Sequence, residues 1–94
     1  MEDTDYDKIF RAGDSELSRG ELESLPCPFC TDNVSDETMQ SIVETIDRST
    51  RDRLRLSGNE HIDFDNDRHS RIWWEEMEAV VCEFGIPYYE DLES

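Results

Sequence analysis

Long hydrophobic runs are missing from this sequence, and no apolar stretch approaches the roughly 20 residues that a membrane-spanning helix needs. The first residues are acidic, where a secretory signal would be basic and then apolar. Cysteine is also scarce, and three cysteines are an odd number, which does not suggest the disulfide framework of a small secreted domain. These absences argue against the membrane and secreted classes and predict a cytoplasmic protein.

Positive charge is the scarcest property of the chain. Nine basic side chains, of which only Lys8 is a lysine, face 25 acidic ones, so the net charge is -16. Such a chain repels nucleic acid and anionic membrane surfaces, and it attracts a basic protein. The acidity is uneven, because residues 57–94 alone carry 11 acidic and two basic side chains. We therefore expect the partner to bind this C-terminal third, and we expect no direct contact with nucleic acid or membrane.

Motifs that would indicate catalysis are missing as well. The four glycines are scattered singly, so no phosphate-binding loop exists, and no Ser/His/Asp arrangement has supporting local sequence. Asp63, Asp65 and Asp67 alternate as in an EF-hand calcium loop, but Arg68 and Trp74 occupy the positions that require glycine and glutamate. We predict that the protein is not an enzyme and that it needs no cofactor.

The segment Cys27-Pro28-Phe29-Cys30 resembles the active-site turn of glutaredoxins over these four residues. That resemblance implies a helix directly after the motif, which would lower the pKa of the first thiol. Here the next helix is predicted to begin only at Ser35, and the surrounding negative charge would raise a thiol pKa. Cys27 and Cys30 also have the spacing of zinc ligands, but no second paired motif accompanies them. We expect two ordinary thiols and no metal, with Cys27 and Cys30 as the ligands if zinc does bind.

Apolar periodicity predicts two strong helices. Over residues 35–55, apolar side chains recur at the spacing of one helical face, Ser35 is a suitable N-cap, and arginines crowd the far end. Over residues 71–84 a second apolar face follows Ser70 as its N-cap. Gly85 suits the left-handed position that ends such a helix, and a Schellman motif with Ile86 is expected there.

A weaker helix is predicted over residues 15–24, and residues 1–13 are predicted to be a flexible acidic arm. The predicted fold is therefore mainly α, a single small three-helix domain over residues 14–94. An α+β alternative, with a short hairpin between residues 61–65 and 86–89, stays open, and so does a homodimer. The predicted core consists of Leu17, Leu22, Met39, Ile42, Val43, Ile46, Trp73, Met77, Val80, Val81 and Phe84.

Aromatic residues in the acidic third single out a candidate binding surface. Trp74 lies at the flank of its helix's apolar face, where it is either covered by a neighbouring loop or exposed as an interface anchor. Tyr88 and Tyr89 are adjacent, so in an extended tail they would face opposite sides. The residues expected to contact a partner are Asp63, Asp65, Asp67, Trp74, Glu75, Glu78, Tyr88 and Tyr89.

Two functions are consistent with this composition. A compact domain of this length spans about 30 Å, and duplex DNA of that length carries roughly 18 charges, of the same order as the net charge of -16. The first hypothesis is therefore a nucleic-acid mimic that inhibits a basic nucleic-acid-binding protein or nuclease, as phage and mobile-element anti-defence proteins do. The alternative is an adaptor or regulatory module whose acidity is a general, halophile-like surface property, since arginine greatly outnumbers lysine.

Overall fold

A computed structural model of the chain describes residues 7–92, which form a mostly helical unit of 43 × 28 × 21 Å with one short antiparallel sheet. The prediction of a mainly helical fold is confirmed at this level. The helices are not the three predicted, however, because two long helices are accompanied by two short ones within the described range. The elements are β1 (Phe10–Ala12), β2 (Ser15–Leu17), α1 (Arg19–Glu23), α2 (Asp36–Leu54), α3 (Asp67–Glu83) and α4 (Tyr89–Leu92).

Helix α2 forms as predicted, within one residue at each end. The hydroxyl of Ser35 accepts a hydrogen bond from the backbone N–H of Thr38 at 3.2 Å, which satisfies one of the donors left unpaired at a helix start. The apolar face is completely buried at Met39, Ile42, Val43 and Ile46. The helix is therefore held by its cap and by one buried stripe.

Helix α2 ends at a strained residue. Arg55 has φ of 56°, in the left-handed region that glycine adopts without penalty, and the backbone N–H of Leu56 turns back to the carbonyl of Arg51 at 3.0 Å. We expect Arg55→Gly to raise the free energy of unfolding by about 0.5–1 kcal/mol in urea titrations. Arg48→Gly is the matched control, because it removes the same charge from a regular helical position and should lower stability by about 1 kcal/mol. A loss of stability in both variants would contradict the assigned strain.

Helix α3 begins four residues earlier than predicted, at Asp67. The side chain of Asn66 accepts hydrogen bonds from the backbone N–H groups of Arg68 at 2.9 Å and His69 at 3.3 Å, so Asn66 is the N-cap. The predicted cap, Ser70, lies inside the first turn. The prediction missed Asn66 because the first turn of α3 carries no apolar side chain that would extend the periodic pattern.

The predicted end of α3 is confirmed. Gly85 adopts φ of 81°, its N–H donates to the carbonyl of Cys82 at 3.0 Å, and the N–H of Ile86 donates to Val81 at 3.4 Å. These two bonds are those of a Schellman motif. Phe84, by contrast, was predicted in the core and is substantially exposed, because it occupies the cap position beyond the buried stripe.

The amino-terminal segment is a hairpin, where an irregular arm and a helix over residues 15–24 were predicted. Strands β1 and β2 pair with Ala12 opposite Ser15, which leaves Gly13 and Asp14 as a two-residue loop. Gly13 has φ of 58°, as the first loop position of a type II′ turn requires. Residues 10–12 of the predicted arm therefore belong to the fold, residues 1–6 lie outside the described range, and the helix is reduced to α1.

The hairpin between residues 61–65 and 86–89, which was left open as an α+β alternative, is not formed, because neither segment is a strand in the structure. The C-terminal segment pairs instead with the loop before α2, through a single bridge between Phe29 and Tyr88. Their rings stack with centroids 4.4 Å apart, and the N–H of Cys30 donates to the carbonyl of Pro87 at 2.8 Å. This contact anchors α4 to the loop.

A buried polar cluster joins the hairpin to both long helices. We call it the Asp47 network. The Asp47 carboxylate, on α2, accepts hydrogen bonds from the backbone N–H of Asp14 at 3.2 Å, the hydroxyl of Ser15 at 2.8 Å and the guanidinium of Arg51 at 3.1 Å. Arg51 also pairs with the Asp14 carboxylate. The indole N–H of Trp73, on α3, donates to the Ser15 hydroxyl at 2.9 Å. The network fixes the position of the hairpin on α2 and α3.

None of the helices within residues 7–92 combines the length and the apolar character that crossing a membrane requires. The core is built from the predicted apolar faces of α2 and α3, with Leu17 of β2 and Leu22 of α1 between them. Phe10, Phe29, Ile62 and Ile86 complete the core from the strand and the loops.

Candidate functional site

Most of the predicted contact residues lie on the outer side of α3 and on the connection before it. Asp63, Asp65 and Asp67 are all exposed there, and so are Glu75 and Glu78. Glu75 has a partly compensated charge, because Arg53 of α2 lies 3.6 Å from its carboxylate and 2.9 Å from that of Glu76. The uncompensated acidity of this surface therefore comes mainly from the three aspartates and Glu78.

A cleft of about 430 Å³ opens between the hairpin, α1 and the start of α3. It combines three aromatic rings with three carboxylates, and we call it the aromatic–acidic cleft. Its lining residues are Asp14, Glu16, Glu21, Phe64, Trp73 and Trp74. Only Trp74 among them was singled out from the sequence as a contact residue.

The aromatic side of the cleft is arranged around Trp73. That ring is 3% exposed and is fixed by its hydrogen bond to Ser15. The rings of Phe64 and Trp74 lie 5.8 and 5.3 Å from it, at interplanar angles of 76° and 86°. Phe64 is 44% exposed and Trp74 39% exposed. The structure thus places two large, partly exposed rings nearly perpendicular to a buried one.

The acidic side of the cleft comes from the hairpin and α1. Burial and the neighbouring Glu16 carboxylate both raise the pKa of Glu21, although its side chain reaches the surface. Within the part of the chain that the structure describes, no donor is bonded to the Glu21 carboxylate. Glu16 is paired with Arg11 at 3.0 Å, an exposed ion pair. Glu21 therefore carries negative charge that the described fold does not neutralise.

Asp14 differs from Glu21 because its carboxylate is fully used by the fold. Burial alone would raise its pKa, but the backbone N–H of Ile62, the ring of His61 and the guanidinium of Arg51 outweigh burial and lower it. The N–H of Ile62 donates to this carboxylate at 3.0 Å, and the Nδ1 atom of His61 lies 2.9 Å from it. Asp14 contributes shape to the cleft, whereas Glu21 contributes available charge.

Within residues 7–92, Tyr88 lines a different depression from the aromatic–acidic cleft that Trp74 lines. Tyr88 lies with Glu78 beside a depression of about 150 Å³ that also includes Leu25, Cys27 and Phe29. Its hydroxyl lies 3.6 Å from the sulfur of Cys82, and this hydrogen bond, with burial, raises the pKa of Tyr88 to about 12. The hydroxyl of Tyr89 donates to Glu23 at 2.8 Å, and this bond raises its pKa as well. Both phenols are thus engaged in holding the C-terminal segment.

The two thiols of the Cys-Pro-Phe-Cys segment lie in different environments. Cys27 is exposed and Cys30 is buried, and neither is in a disulfide. Across residues 7–92, no three His, Cys, Asp or Glu side chains are grouped so that they could hold a metal ion. The α2 helix begins only at Asp36, so it does not follow the segment directly as the resemblance to glutaredoxins implied.

Sequence reasoning missed Glu16, Glu21 and Phe64. These residues come from three separate elements, and only the folded hairpin brings the first two close to Trp74. Comparisons with protein-family models, curated proteins and solved structures each found no match. The function is therefore argued from the geometry and charge of the site.

Proposed function

We propose that this protein is a non-catalytic acidic inhibitor that binds a basic protein and covers its nucleic-acid-binding surface. The observation that carries the proposal is the aromatic–acidic cleft, in which exposed rings stand beside the uncompensated carboxylate of Glu21. Tryptophan is enriched among the residues that dominate binding energy, and carboxylates complement the arginines and lysines of such a surface. The exposed aspartates beside the cleft extend the same negative surface.

Size and charge support nucleic-acid mimicry in particular. The longest dimension is 43 Å, and duplex DNA of that length carries about 25 charges. Residues 7–92 carry 21 acidic and nine basic side chains, so their net charge of -12 is of this order, as is the -16 of the whole chain. Electrostatic attraction of this kind speeds association and weakens as salt rises, because the Debye length falls to about 8 Å at physiological ionic strength. The partner is expected to be a nuclease or another nucleic-acid-binding protein.

A second function is supported by acidic residues away from the cleft. Glu37, Glu44 and Asp52 lie exposed on α2, and a general, halophile-like surface acidity would place acids there too. In that case the protein is an adaptor or regulatory module that recognises its partner through shape and aromatic contacts. The two functions differ in whether the position of the acids matters, and this difference can be tested.

We expect charge reversal among the predicted contact residues to abolish inhibition, whereas the same charge change on α2 leaves it intact. The test variant carries Asp63→Lys, Asp65→Lys and Glu78→Lys, and the matched control carries Glu37→Lys, Glu44→Lys and Asp52→Lys. If each reversed contact is worth about 1 kcal/mol, the first variant binds roughly 100-fold more weakly. Binding is measured with the basic protein recovered from a nuclease-treated lysate by the tagged wild-type chain, with circular dichroism confirming that both variants fold.

Competition separates mimicry from the adaptor function. If the protein is a mimic, a labelled DNA duplex must displace it from the captured partner. Conversely, an excess of the protein must release the bound duplex from that partner. Equal binding of both reversal variants, together with indifference to DNA, would overturn mimicry and leave the adaptor function. Loss of binding in both variants to the same degree would show that only total charge matters.

A further inference from the structure

The three rings of the aromatic–acidic cleft form a partial box. Trp73 is locked by its hydrogen bond to Ser15, and the rings of Phe64 and Trp74 stand at nearly right angles to it. A cation within about 6 Å of the face of such a ring is attracted by its quadrupole, most strongly at tryptophan. Trp74 and Phe64 are exposed enough for such a cation to reach them, whereas Trp73 is not.

Three carboxylates, of Asp14, Glu16 and Glu21, line the same cleft as these rings. Glu21 lies close enough to Glu16 for the two carboxylates to repel each other, and Glu21 has no bonded donor among the described residues. A cation that enters the cleft would pair with Glu21 and relieve this repulsion. The fold therefore leaves open both a stacking surface and a counter-charge, within one cleft of about 430 Å³.

Arginine satisfies both requirements better than lysine. Its guanidinium is planar, stacks on aromatic rings and is more weakly hydrated than an ammonium group. It can also pair with a carboxylate through two parallel N–H···O hydrogen bonds. Lysine offers a compact, strongly hydrated charge that does not stack. The aromatic rings and the carboxylate together therefore favour arginine over lysine among the side chains of a basic protein.

We infer that the aromatic–acidic cleft is the subsite for one arginine side chain of the partner, with the guanidinium stacked on Trp74 and paired with Glu21. The inference rests on the proposed function, because it names the side chain by which a basic partner is recognised. It assigns Phe64, the other exposed ring, to the aromatic side of the same cleft. It also assigns the buried Trp73 to the support of the site, where it orients the other two rings.

The test uses the full chain labelled with ¹⁵N and three small probes: N-acetyl-arginine amide, N-acetyl-lysine amide and N-acetyl-citrulline amide. Citrulline matches arginine in shape and lacks its charge. The indole N–H signal of Trp74 is followed by NMR as each probe is added, up to about 100 mM because a single side chain binds weakly. We expect a saturable shift with arginine, at least about fivefold weaker binding of lysine, and no saturable shift with citrulline.

Two variants and one control test which residues bind the arginine probe. Glu21→Gln and Trp74→Leu should each weaken arginine binding about tenfold or more, since each removes one of the two assigned interactions. Binding to Trp74→Leu, which lacks the Trp74 indole, is followed at the backbone N–H signal of Glu21. Glu83→Gln removes an exposed carboxylate that lies nine residues after Trp74 on α3, roughly 13 Å along the helix axis. This control should leave arginine binding unchanged. A Trp73 indole N–H that still exchanges slowly with solvent in each variant shows that its bond to Ser15, and hence the fold around the cleft, persists.

Equal binding of lysine, binding of citrulline, binding that survives Glu21→Gln, or no arginine binding at the highest concentration would each overturn the arginine subsite. None of these outcomes would overturn the proposed function, which depends on the loss of partner binding in the charge-reversal variant. Conversely, arginine binding to the cleft together with full partner binding by that variant would preserve the subsite and overturn mimicry.

Discussion

Replacement of Asp47 by alanine is expected to lower the free energy of unfolding by about 3–5 kcal/mol, close to the limit that a small domain tolerates. The reason lies in the three donors that share this buried carboxylate: the backbone N–H of Asp14, the hydroxyl of Ser15 and the guanidinium of Arg51. Without Asp47, the buried hydroxyl of Ser15 and the backbone N–H of Asp14 lose their acceptor. The partly buried guanidinium of Arg51 keeps its pair with Asp14 and its bond to the Glu60 carbonyl. Urea unfolding followed by circular dichroism measures the effect.

Asp52→Ala is the control for this prediction. Asp52 lies on the same helix, is exposed, and should change stability by about 0.5 kcal/mol or less. A cost below about 1 kcal/mol for Asp47→Ala would show that water replaces the carboxylate, and the Asp47 network would then be a surface feature. A double variant with Arg51→Ala should cost less than the two single losses combined, because both remove members of one network.

Gly13→Ala is expected to be the second most damaging substitution, with a loss of about 3 kcal/mol or more. A methyl group on Gly13 would lie 2.3 Å from the Oδ2 atom of Asp47, so the carboxylate would have to move away from its donors. The left-handed backbone at Gly13 adds about 1–2 kcal/mol for any residue with a side chain. Thermal and urea unfolding of the variant provide the measurement.

Two other glycines separate the steric cost of a side chain at Gly13 from its conformational cost. Gly85 is also left-handed, but a methyl group there would meet no atom within 4 Å, so Gly85→Ala should show only the conformational cost of about 1–2 kcal/mol. Gly58 has neither close neighbours nor a left-handed backbone, and Gly58→Ala should be neutral or slightly stabilising. Equal losses at Gly13 and Gly85 would disprove the steric part of the argument.

The long helices could be predicted because their information is local. Helix α2 has a capping serine, an apolar stripe and a basic end within 21 consecutive residues, 35–55, and each signal agrees with the others. The end of α3 could be predicted for the same reason, from Gly85 and Ile86. Its start could not, because Asp67 and the residues after it lack the apolar period, and the hydrogen bonds to Asn66 decide the boundary.

The hairpin was missed because its strands have only three residues each, too few for a clear alternation. The Gly13-Asp14 pair was the available signal, since a glycine followed by aspartate is typical of a two-residue hairpin loop. The failure to predict the cleft followed from this error. With residues 15–24 predicted as a helix, nothing placed Glu16 and Glu21 opposite Trp74, so the prediction found one wall of the cleft and not the other.

The dependence of the hairpin on distant residues has a consequence for the protein during its synthesis. A two-stranded ribbon is marginal by itself, and the bonds that hold this one come from Asp47 and Trp73, far later in the chain. At 5–20 residues per second, Trp73 is joined roughly 3–12 s after Gly13. The nascent chain therefore carries the acids of the cleft before it has the cleft itself. The cleft can therefore form only after translation has passed the start of α3.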